Sequence, residues 1–137
     1  MADQPEFIKS GCLVAAGGAI GASLRHLTNT ITINLAGDNS LLLATAIENM
    51  TGSFFIGLIF SLLMTKSELN QKLNLFLLTG VIGSYTTYSG FMTDALYLFK
   101  ESELLFLLYF FGQIIMGLVA VWAGITLASK IKKSASF

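Results

Sequence analysis

Four long runs of apolar residues, separated by short polar connections, dominate the pattern of this sequence. The runs cover residues 7–33, 40–65, 73–99 and 104–129. Each is longer than the roughly 20 residues that an α-helix needs to cross the hydrocarbon core of a bilayer. We therefore predict four transmembrane helices in a single domain, 1–137. Consecutive helices should run antiparallel because the connections between them are short.

The third run has an unusual centre. Residues 79–94 contain Gly80, Gly83 and Gly90 together with six threonine or serine side chains. Glycine costs about 1 kcal/mol against alanine within a helix, and threonine and serine oxygens compete for the backbone hydrogen bonds. This composition favours a break near the middle of the third helix, which a bilayer tolerates only where it faces protein or a polar cavity. A glycine-rich packing face within an unbroken helix is the alternative.

The composition agrees with an integral membrane protein. Mean hydropathy is +0.73 and hydrophobic residues make up 54% of the chain. Charged residues make up only 12%, about half of the share typical of soluble proteins. A net charge of zero argues against binding to nucleic acid. With one cysteine, one histidine and no paired carboxylates, hydrolytic or redox catalysis has too few groups, so we expect no enzyme.

Three polar side chains inside the apolar runs each allow more than one interpretation. Arg25 either extends its charged end to an interface or is a buried cation that attracts an anion. Glu48 is expensive to bury, so we expect it to reach water, to carry a proton or to pair with a cation such as Arg25. Asn49 can both donate and accept hydrogen bonds, and can therefore hold either an anion or another helix.

The polar positions taken together indicate an ion pathway. Hydroxyl groups, amides and the positive edges of aromatic rings suit a small dehydrated anion. Neutral donors also bind an anion without trapping it as strongly as a fixed cation would, which conduction requires. The set comprises Asn49, Ser53, Thr86, Thr87, Ser89, Tyr109 and Gln113, with the rings of Tyr88 and Phe91. These residues indicate a pathway without naming the ion.

Four motifs in order give the chain a resemblance to a known family. They are Gly-Gly-x-x-Gly-Ala-x-x-Arg at 17–25, Asn-x-x-Gly-Ser-Phe at 49–54, Gly-x-x-Gly-x-x-Thr-Thr-aromatic-Ser-x-Phe at 80–91 and Gly-Leu-x-Ala-Val-Trp-x-Gly at 117–124. Over nearly its whole length the chain resembles the small bacterial fluoride channels of the Fluc or CrcB family. The resemblance implies a four-helix subunit with a broken third helix, which forms an antiparallel, dual-topology dimer. It also implies passive export of fluoride across the bacterial plasma membrane.

The resemblance further implies roles for individual residues. Asn49 corresponds to the pore asparagine and Phe91 to the second pore phenylalanine, while Tyr88 stands at the place of the first. The backbone carbonyls of Gly83 and Thr86 correspond to those that hold a central structural sodium ion. The remaining correspondences are Thr87 and Tyr109 as pore-side hydroxyls, Gln113 at the place of a helix-four serine, Asp94 at the end of the polar track and Arg25 as the helix-one arginine. The chain departs from the family pattern at Glu48, Tyr88, Gly90, Met92 and Gln113.

The distribution of cationic residues bears on the partner subunit. With four crossings, Lys100 and Arg25 lie on one side, and the side of both termini carries Lys9, Lys66, Lys72, Lys130, Lys132 and Lys133. This excess predicts cytoplasmic termini and one preferred orientation. A homodimer of opposite orientations requires nearly balanced cations, and several departures from the family pattern fall on pore-side positions. We therefore hypothesise a homologous second subunit of opposite orientation, with a homodimer as the alternative.

Two other functions stay open from the residues alone. A small proton-coupled exporter of cations would use Glu48 as its membrane carboxylate. A helical scaffold subunit without conduction would use the polar residues only as packing contacts. The Thr-Thr-Tyr-Ser-Gly-Phe sequence at 86–91 and Asn49 favour the channel.

Overall fold

The computed structural model describes residues 4–37, 40–64 and 67–135, and nearly all of them are helical. The elements are α1 (Gln4–Ala36), α2 (Leu41–Leu62), α3 (Glu68–Asn74), a π-helical segment (Leu75–Ile82), α4 (Gly83–Tyr85), α5 (Tyr88–Glu101) and α6 (Glu103–Ala135). Three helices are long and apolar enough to cross a membrane, namely Glu6–Ala36, Leu41–Leu62 and Glu103–Ser134. They correspond to the first, second and fourth apolar runs. The all-helical prediction is confirmed for the described residues, while Thr65, the predicted end of the second run, and Lys66 lie outside them.

The third apolar run is broken, as predicted. α3, the π-helical segment and α4 follow one another without interruption up to Tyr85. Thr86 and Thr87 then adopt extended backbone conformations, with ψ angles of 157° and 116°, and α5 begins at Tyr88. The alternative of an unbroken glycine-rich helix is therefore excluded. The π-helical geometry of the first half, with its i→i+5 hydrogen bonds, was not predicted.

Two helix ends are set by local sequence signals. α1 ends before Gly37, which has a φ of +87° and donates its amide to the Ile33 carbonyl at 2.8 Å. A left-handed glycine of this kind commonly ends a helix. α3 begins after Ser67, whose side chain accepts a hydrogen bond from the Asn70 amide at 3.2 Å. This cap places the start of the third run at Glu68, earlier than the predicted start at residue 73.

α1 packs along the third run through glycines. A Cβ atom built at Gly17 would lie 2.4 Å from the carbonyl oxygen of Phe76, and one at Gly21 would lie 2.0 Å from that of Val81. Only glycine therefore permits the two helices to approach this closely. The contacts advance together along both helices, so the two run parallel. Glycines four residues apart commonly permit such close packing of membrane helices.

α2 and α6 form a second parallel pair. A Cβ atom at Gly57 would lie 2.2 Å from the Val121 carbonyl oxygen, and one at Gly124 would lie 2.2 Å from that of Phe54. At the far end of the pair, the Lys132 ammonium donates to the Ser61 carbonyl. The end of α2 and the end of α6 therefore lie at the same end of the molecule.

α5 and α6 form an antiparallel hairpin. The ring centroids of Phe99 and Phe106 lie 5.4 Å apart near its turn. Further from the turn, the Tyr109 hydroxyl meets the Asp94 carboxylate. Few large side chains of the described residues are buried, and many apolar side chains of α1 and α6 point outward. The outward surface is suited to lipid or to a partner subunit.

Candidate functional site

The break between α4 and α5 is held by one side chain of α2. The Asn49 Nδ2 group donates to the Thr87 carbonyl at 3.1 Å, and the Thr87 amide donates to Asn49 Oδ1 at 2.9 Å. The amide side chain thus satisfies both backbone groups of Thr87 where the helix is interrupted. Asn49 therefore holds another helix, which is one of its two predicted roles. Its nitrogen carries a second hydrogen, which no described residue engages and which stays available to a ligand.

α2 also contacts the two residues that precede Thr87. The Thr51 hydroxyl lies 3.2 Å from the Tyr85 hydroxyl. A Cβ atom at Gly52 would lie 2.1 Å from the Thr86 methyl group, so Thr86 occupies the space that this glycine leaves. α2 therefore contacts three consecutive residues of the break, at 85, 86 and 87.

Tyr85 connects the break to α1 as well, because its hydroxyl lies 3.3 Å from that of Thr28. Neither Tyr85 nor Thr28 was predicted as a functional residue. A signal was present in the sequence, since Thr28 follows Gly21 by seven residues and lies on the same face of α1. That face packs closely against the third run, and a buried hydroxyl on it has to meet a polar partner.

The Thr87 side chain caps α5. Its Oγ1 atom accepts a hydrogen bond from the Gly90 amide at 2.9 Å and lies 3.2 Å from the Ser89 hydroxyl. A Cβ atom at Gly90 would lie 2.7 Å from the Thr87 methyl carbon. The glycine that departs from the family pattern therefore fits closely against this cap. The hydroxyl predicted to face the pathway serves first as a helix cap.

Two of the predicted aromatic residues occupy different environments. Phe91 is 7% exposed, and its ring centroid lies 5.8 Å from that of Tyr109 and 5.3 Å from that of Phe110. Tyr88 is 76% exposed and touches this group only through a tilted contact with Phe91 at 6.2 Å. The structure thus brings Phe91 and Tyr109 together and leaves Tyr88 on the outside of the chain. Phe110 was not predicted.

The predicted residues of α6 line a pocket against α2. Tyr109 donates to Asp94 Oδ2 at 3.0 Å. The Gln113 Nε2 atom is buried next to the Tyr109 hydroxyl, with which it interacts without reaching ordinary hydrogen-bond geometry. Ser53 faces the same seam one turn further along, because its hydroxyl lies 3.6 Å from a Cβ atom built at Gly117. The pocket has a volume of about 290 Å³ and is lined by Ala46, Met50, Leu108, Tyr109, Gly112, Gln113 and Met116. A buried amide donor without a well-formed hydrogen bond is costly, so this pocket suits an acceptor or an anion.

Glu48 and Arg25 make no direct ion pair, although the charge of Arg25 acts on the Glu48 carboxyl group. Glu48 is 1% exposed, and its Oε1 atom has no hydrogen-bond partner among the described residues. Arg25 on α1 is half-buried and makes no ion pair with it. The expectation that Glu48 reaches water is wrong, because its own chain encloses the carboxyl group.

Of the two carbonyls predicted to bind sodium, that of Gly83 lies just before the break and that of Thr86 lies within it. The Thr86 amide donates to the Ile82 carbonyl at 2.9 Å and the Thr87 amide donates to Asn49. The Gly83 carbonyl therefore lacks the hydrogen bond from Thr87 that a continuing helix would supply. The Gly90 amide is likewise bonded to Thr87 Oγ1 and not to the Thr86 carbonyl. Both carbonyls thus fit a cation that accepts oxygen ligands.

The sequence model of one protein family matches residues 12–125, which include α2, the break and most of α1 and α6. That family is described as CrcB-like protein, Camphor Resistance (CrcB). The chain belongs to the CrcB family.

Relatives of this CrcB chain match it over nearly their full length. The fluoride-specific ion channel FluC of Agrobacterium fabrum is 38% identical over 120 residues, which are 87% of this chain and 95% of that protein. The FluC protein of Flavobacterium psychrophilum is 34% identical over 119 residues, or 86% and 95% of the two chains. That of Prosthecochloris aestuarii is 38% identical over 117 residues, or 85% and 90%. With its three long apolar helices, the CrcB chain is a multi-pass membrane protein.

Proposed function

We propose that this chain is a subunit of a fluoride channel, and not an enzyme, that exports fluoride passively across the bacterial plasma membrane. The observation that carries the proposal is the extended break inside an apolar run, held on both backbone groups of Thr87 by the Asn49 amide. Broken membrane helices of this kind expose polar groups to ions. Relatives that are 34–38% identical and named fluoride-specific ion channels support the same function.

The seam between α2 and α6 supplies the proposed pathway. Its donors are the Ser53 hydroxyl and the Gln113 amide, with Tyr109 at one end, and the break contributes the second Asn49 hydrogen. Fluoride is small and strongly hydrated, so it enters only where donors replace the water that it loses. Neutral donors allow it to leave again, and the positive edge of Phe91 adds attraction without a full charge.

We infer that the broken third run is a fourth crossing and that a second subunit of opposite orientation covers its break. Tyr88 and Gly83 are exposed on the single chain, although both lie at the middle of an apolar run. Exposed backbone acceptors in lipid cost several kcal/mol each, so a covering partner stabilises them. A homologous second subunit is the partner that the lysine distribution favours, with a second copy of this chain as the alternative.

The packing of the helix ends supports the orientation. The charges of Lys9 and Glu6 act on Glu68 and Lys72, so the start of α1 lies near the start of α3. Lys132 is bonded to the end of α2. The start of α1, the start of α3, the end of α2 and the end of α6 carry most of the lysines. In the proposed orientation these helix ends lie at the cytoplasmic face.

We further propose that the Gly83 and Thr86 carbonyls hold a structural sodium ion between two subunits. Bound there, sodium would offset the partial negative charges of acceptors that the break leaves without donors. Metal-binding clusters of three or more histidine, cysteine or acidic side chains are absent from the described residues. Backbone oxygens are therefore the candidate ligands, and a cation with oxygen ligands suits them.

The alternative of a proton-coupled cation exporter is not favoured by the structure. A transport carboxylate has to meet its ions from both sides of the membrane. Glu48 is 1% exposed and is enclosed by its own chain. The third interpretation, a scaffold without conduction, does not account for the relatives that are named fluoride-specific ion channels.

The test is fluoride efflux from liposomes that contain the purified chain, alone and together with a homologous subunit of opposite orientation. We expect fluoride efflux in at least one of the two preparations and none for chloride under the same gradient. Protein-free liposomes give the background. Equal efflux of chloride and fluoride, or no fluoride efflux in either preparation, would overturn the proposal.

A further inference from the structure

One hydroxyl group joins three elements at the break. Tyr85 is the last residue of α4, and the next residue, Thr86, begins the extended backbone. The Tyr85 hydroxyl lies between Thr28 of α1, at 3.3 Å, and Thr51 of α2, at 3.2 Å. A single atom, the Tyr85 hydroxyl oxygen, therefore links the residue just before the break to both neighbouring helices.

The three hydroxyl groups form a cluster centred on Tyr85. Thr51 donates to the Ile47 carbonyl at 2.6 Å and Thr28 donates to the Leu24 carbonyl at 3.1 Å, so both threonine oxygens can accept a hydrogen bond. The single Tyr85 hydroxyl hydrogen is shared between these two oxygens. Such a cluster fixes where the phenol oxygen lies, because each bond has a preferred length and direction.

Packing alone does not fix the Tyr85 ring. The ring borders an open groove of about 470 Å³ between α1, α2 and the π-helical segment. The groove is lined mainly by aliphatic side chains such as Leu27 and Ile59. A ring without its hydroxyl contacts has room to move into this groove, and the backbone of residue 85 is then free to follow.

We propose that Tyr85 is a positioning residue that fixes the backbone of the break for ion binding and conduction, a role that rests on the function proposed above. The Tyr85 hydroxyl sets the position of residue 85, and the position of the adjacent Thr86 carbonyl depends on that of residue 85. Asn49 fixes the break from the other side through Thr87. Tyr85 and Asn49 thus hold the two ends of the extended segment.

The informative variant is Tyr85→Phe, which removes one oxygen and leaves no new unpaired group. Thr51 retains the Ile47 carbonyl as an acceptor at 2.6 Å, and Thr28 retains that of Leu24. The variant should therefore fold. The matched control is Tyr97→Phe, since Tyr97 lies on α5, is 56% exposed and makes no hydrogen bond with a described residue.

Amide hydrogen exchange of peptides that cover residues 83–91 decides the proposal without reference to transport. We expect exchange at the break to be roughly threefold to tenfold faster in Tyr85→Phe than in the wild type, which is the loss of about one hydrogen bond. Exchange in α6 should be unchanged, and Tyr97→Phe should match the wild type. Unchanged exchange at the break in Tyr85→Phe would overturn the proposal. Faster exchange throughout the chain would overturn it too, because Tyr85 would then be a general packing residue.

A double variant tests the hydroxyl cluster itself. Thr28→Val removes one of the two acceptors of the Tyr85 hydrogen, so Thr28→Val with Tyr85→Phe should exchange no faster at the break than Tyr85→Phe alone. Additive effects of the two changes would show that the contact at 3.3 Å does not couple them, and would overturn this part of the mechanism.

Sodium titration and fluoride efflux separate this proposal from the function on which it rests. Sodium that binds the folded protein raises its midpoint temperature of unfolding. We expect the sodium concentration that gives half of this rise to be roughly threefold to tenfold higher in Tyr85→Phe than in the wild type. Fluoride efflux should be reduced in the same variant. A wild type without fluoride efflux would overturn the proposed function while the exchange result at the break still stands. A wild type with efflux and sodium stabilisation, both unchanged in Tyr85→Phe, would overturn the positioning role.

Discussion

Asn49 shows how far a single residue could be predicted. Its type and its place in an apolar run indicated a polar role, and the motif at 49–54 indicated a pore. Its partner, the backbone of Thr87, could not be predicted because it depends on the register between α2 and the break. The same holds for Tyr85 and Thr28, whose contact depends on the parallel packing of α1 against the third run.

Replacement of Asn49 by aspartate tests two features together, namely the pair of hydrogen bonds between the Asn49 amide and the Thr87 backbone and the proposed anion path. Aspartate cannot donate to the Thr87 carbonyl, and its charge, if ionised, opposes an anion. We expect fluoride efflux to fall at least tenfold, as measured with a fluoride electrode on liposomes. Asn34→Asp on the exposed face of α1 is the control and should conduct like the wild type. Wild-type efflux in Asn49→Asp would place the pathway elsewhere.

Phe91→Ile removes a ring that stacks on Tyr109 and Phe110. An aliphatic side chain offers no positive ring edge, so fluoride efflux should be abolished while assembly is retained. The smaller side chain should cost about 1 kcal/mol of stability in this buried position. Size-exclusion chromatography reports assembly, and Phe55→Ile on the outer face of α2 is the control. Normal efflux from an assembled Phe91→Ile protein would remove the ring from the mechanism.

The carboxyl group of Glu48 is buried next to Asn49 in the sequence of α2. A buried ionised carboxylate without a partner is very costly, whereas a neutral amide of the same shape is not. We therefore expect Glu48→Gln to keep or raise the midpoint temperature of unfolding. If Glu48 exchanges a proton during conduction, fluoride efflux rises as pH falls in the wild type and Glu48→Gln flattens this dependence. A strongly destabilised Glu48→Gln protein would show instead that the carboxylate is paired in the membrane.

Among the elements, the break in the third run was the easiest feature to predict from the sequence. The structure of the residues before the break was the hardest. Glycines and hydroxyl residues at 79–94 indicated the break because they disfavour a helix. The earlier start at Glu68 was readable from the Ser67 cap, yet the polar residues of α3 hid it from a hydropathy pattern. The π-helical turn was not readable, because it depends on how the segment meets α1 and not on local preference.

Close packing of α1 against the π-helical segment makes a sharp prediction for Gly21. The methyl group of Gly21→Ala would lie 2.0 Å from the Val81 carbonyl oxygen, so the helices have to separate. We expect a loss of about 1–3 kcal/mol in stability, seen as a lower midpoint temperature in detergent. Gly11→Ala on the same helix is the control, since a Cβ atom there meets nothing within 4 Å. Equal midpoints for the two variants would contradict the packing described.

For the whole molecule, the sequence predicted the helical class and the membrane environment well because both depend on composition and run length. The partner subunit is harder to predict, because neither the composition nor the length of the apolar runs indicates which protein binds an exposed surface. The lysine distribution is the one sequence property that bears on it. The contacts at the helix ends agree with that distribution, since Lys132 bonds the end of α2.

Topology reporters at the C-terminus test the fixed orientation. A cytoplasmic reporter should give strong signal and an external reporter none, because the cations gather near both termini. Reporters fused to a homologue of the opposite charge distribution serve as the control. Equal signal from both reporters on this chain would contradict the hypothesis of a separate partner and favour a homodimer.

The exposed break also has a consequence for the life of the protein after synthesis. A subunit inserted by itself presents the Gly83 carbonyl and the Tyr88 and Ser89 side chains to lipid. In the proposed assembly these groups stay uncovered until a second subunit binds, and local unwinding there would expose the chain to membrane proteases. Cells that make two different subunits in unequal amounts would therefore lose the surplus by degradation. The level of the scarcer subunit would then set the number of channels.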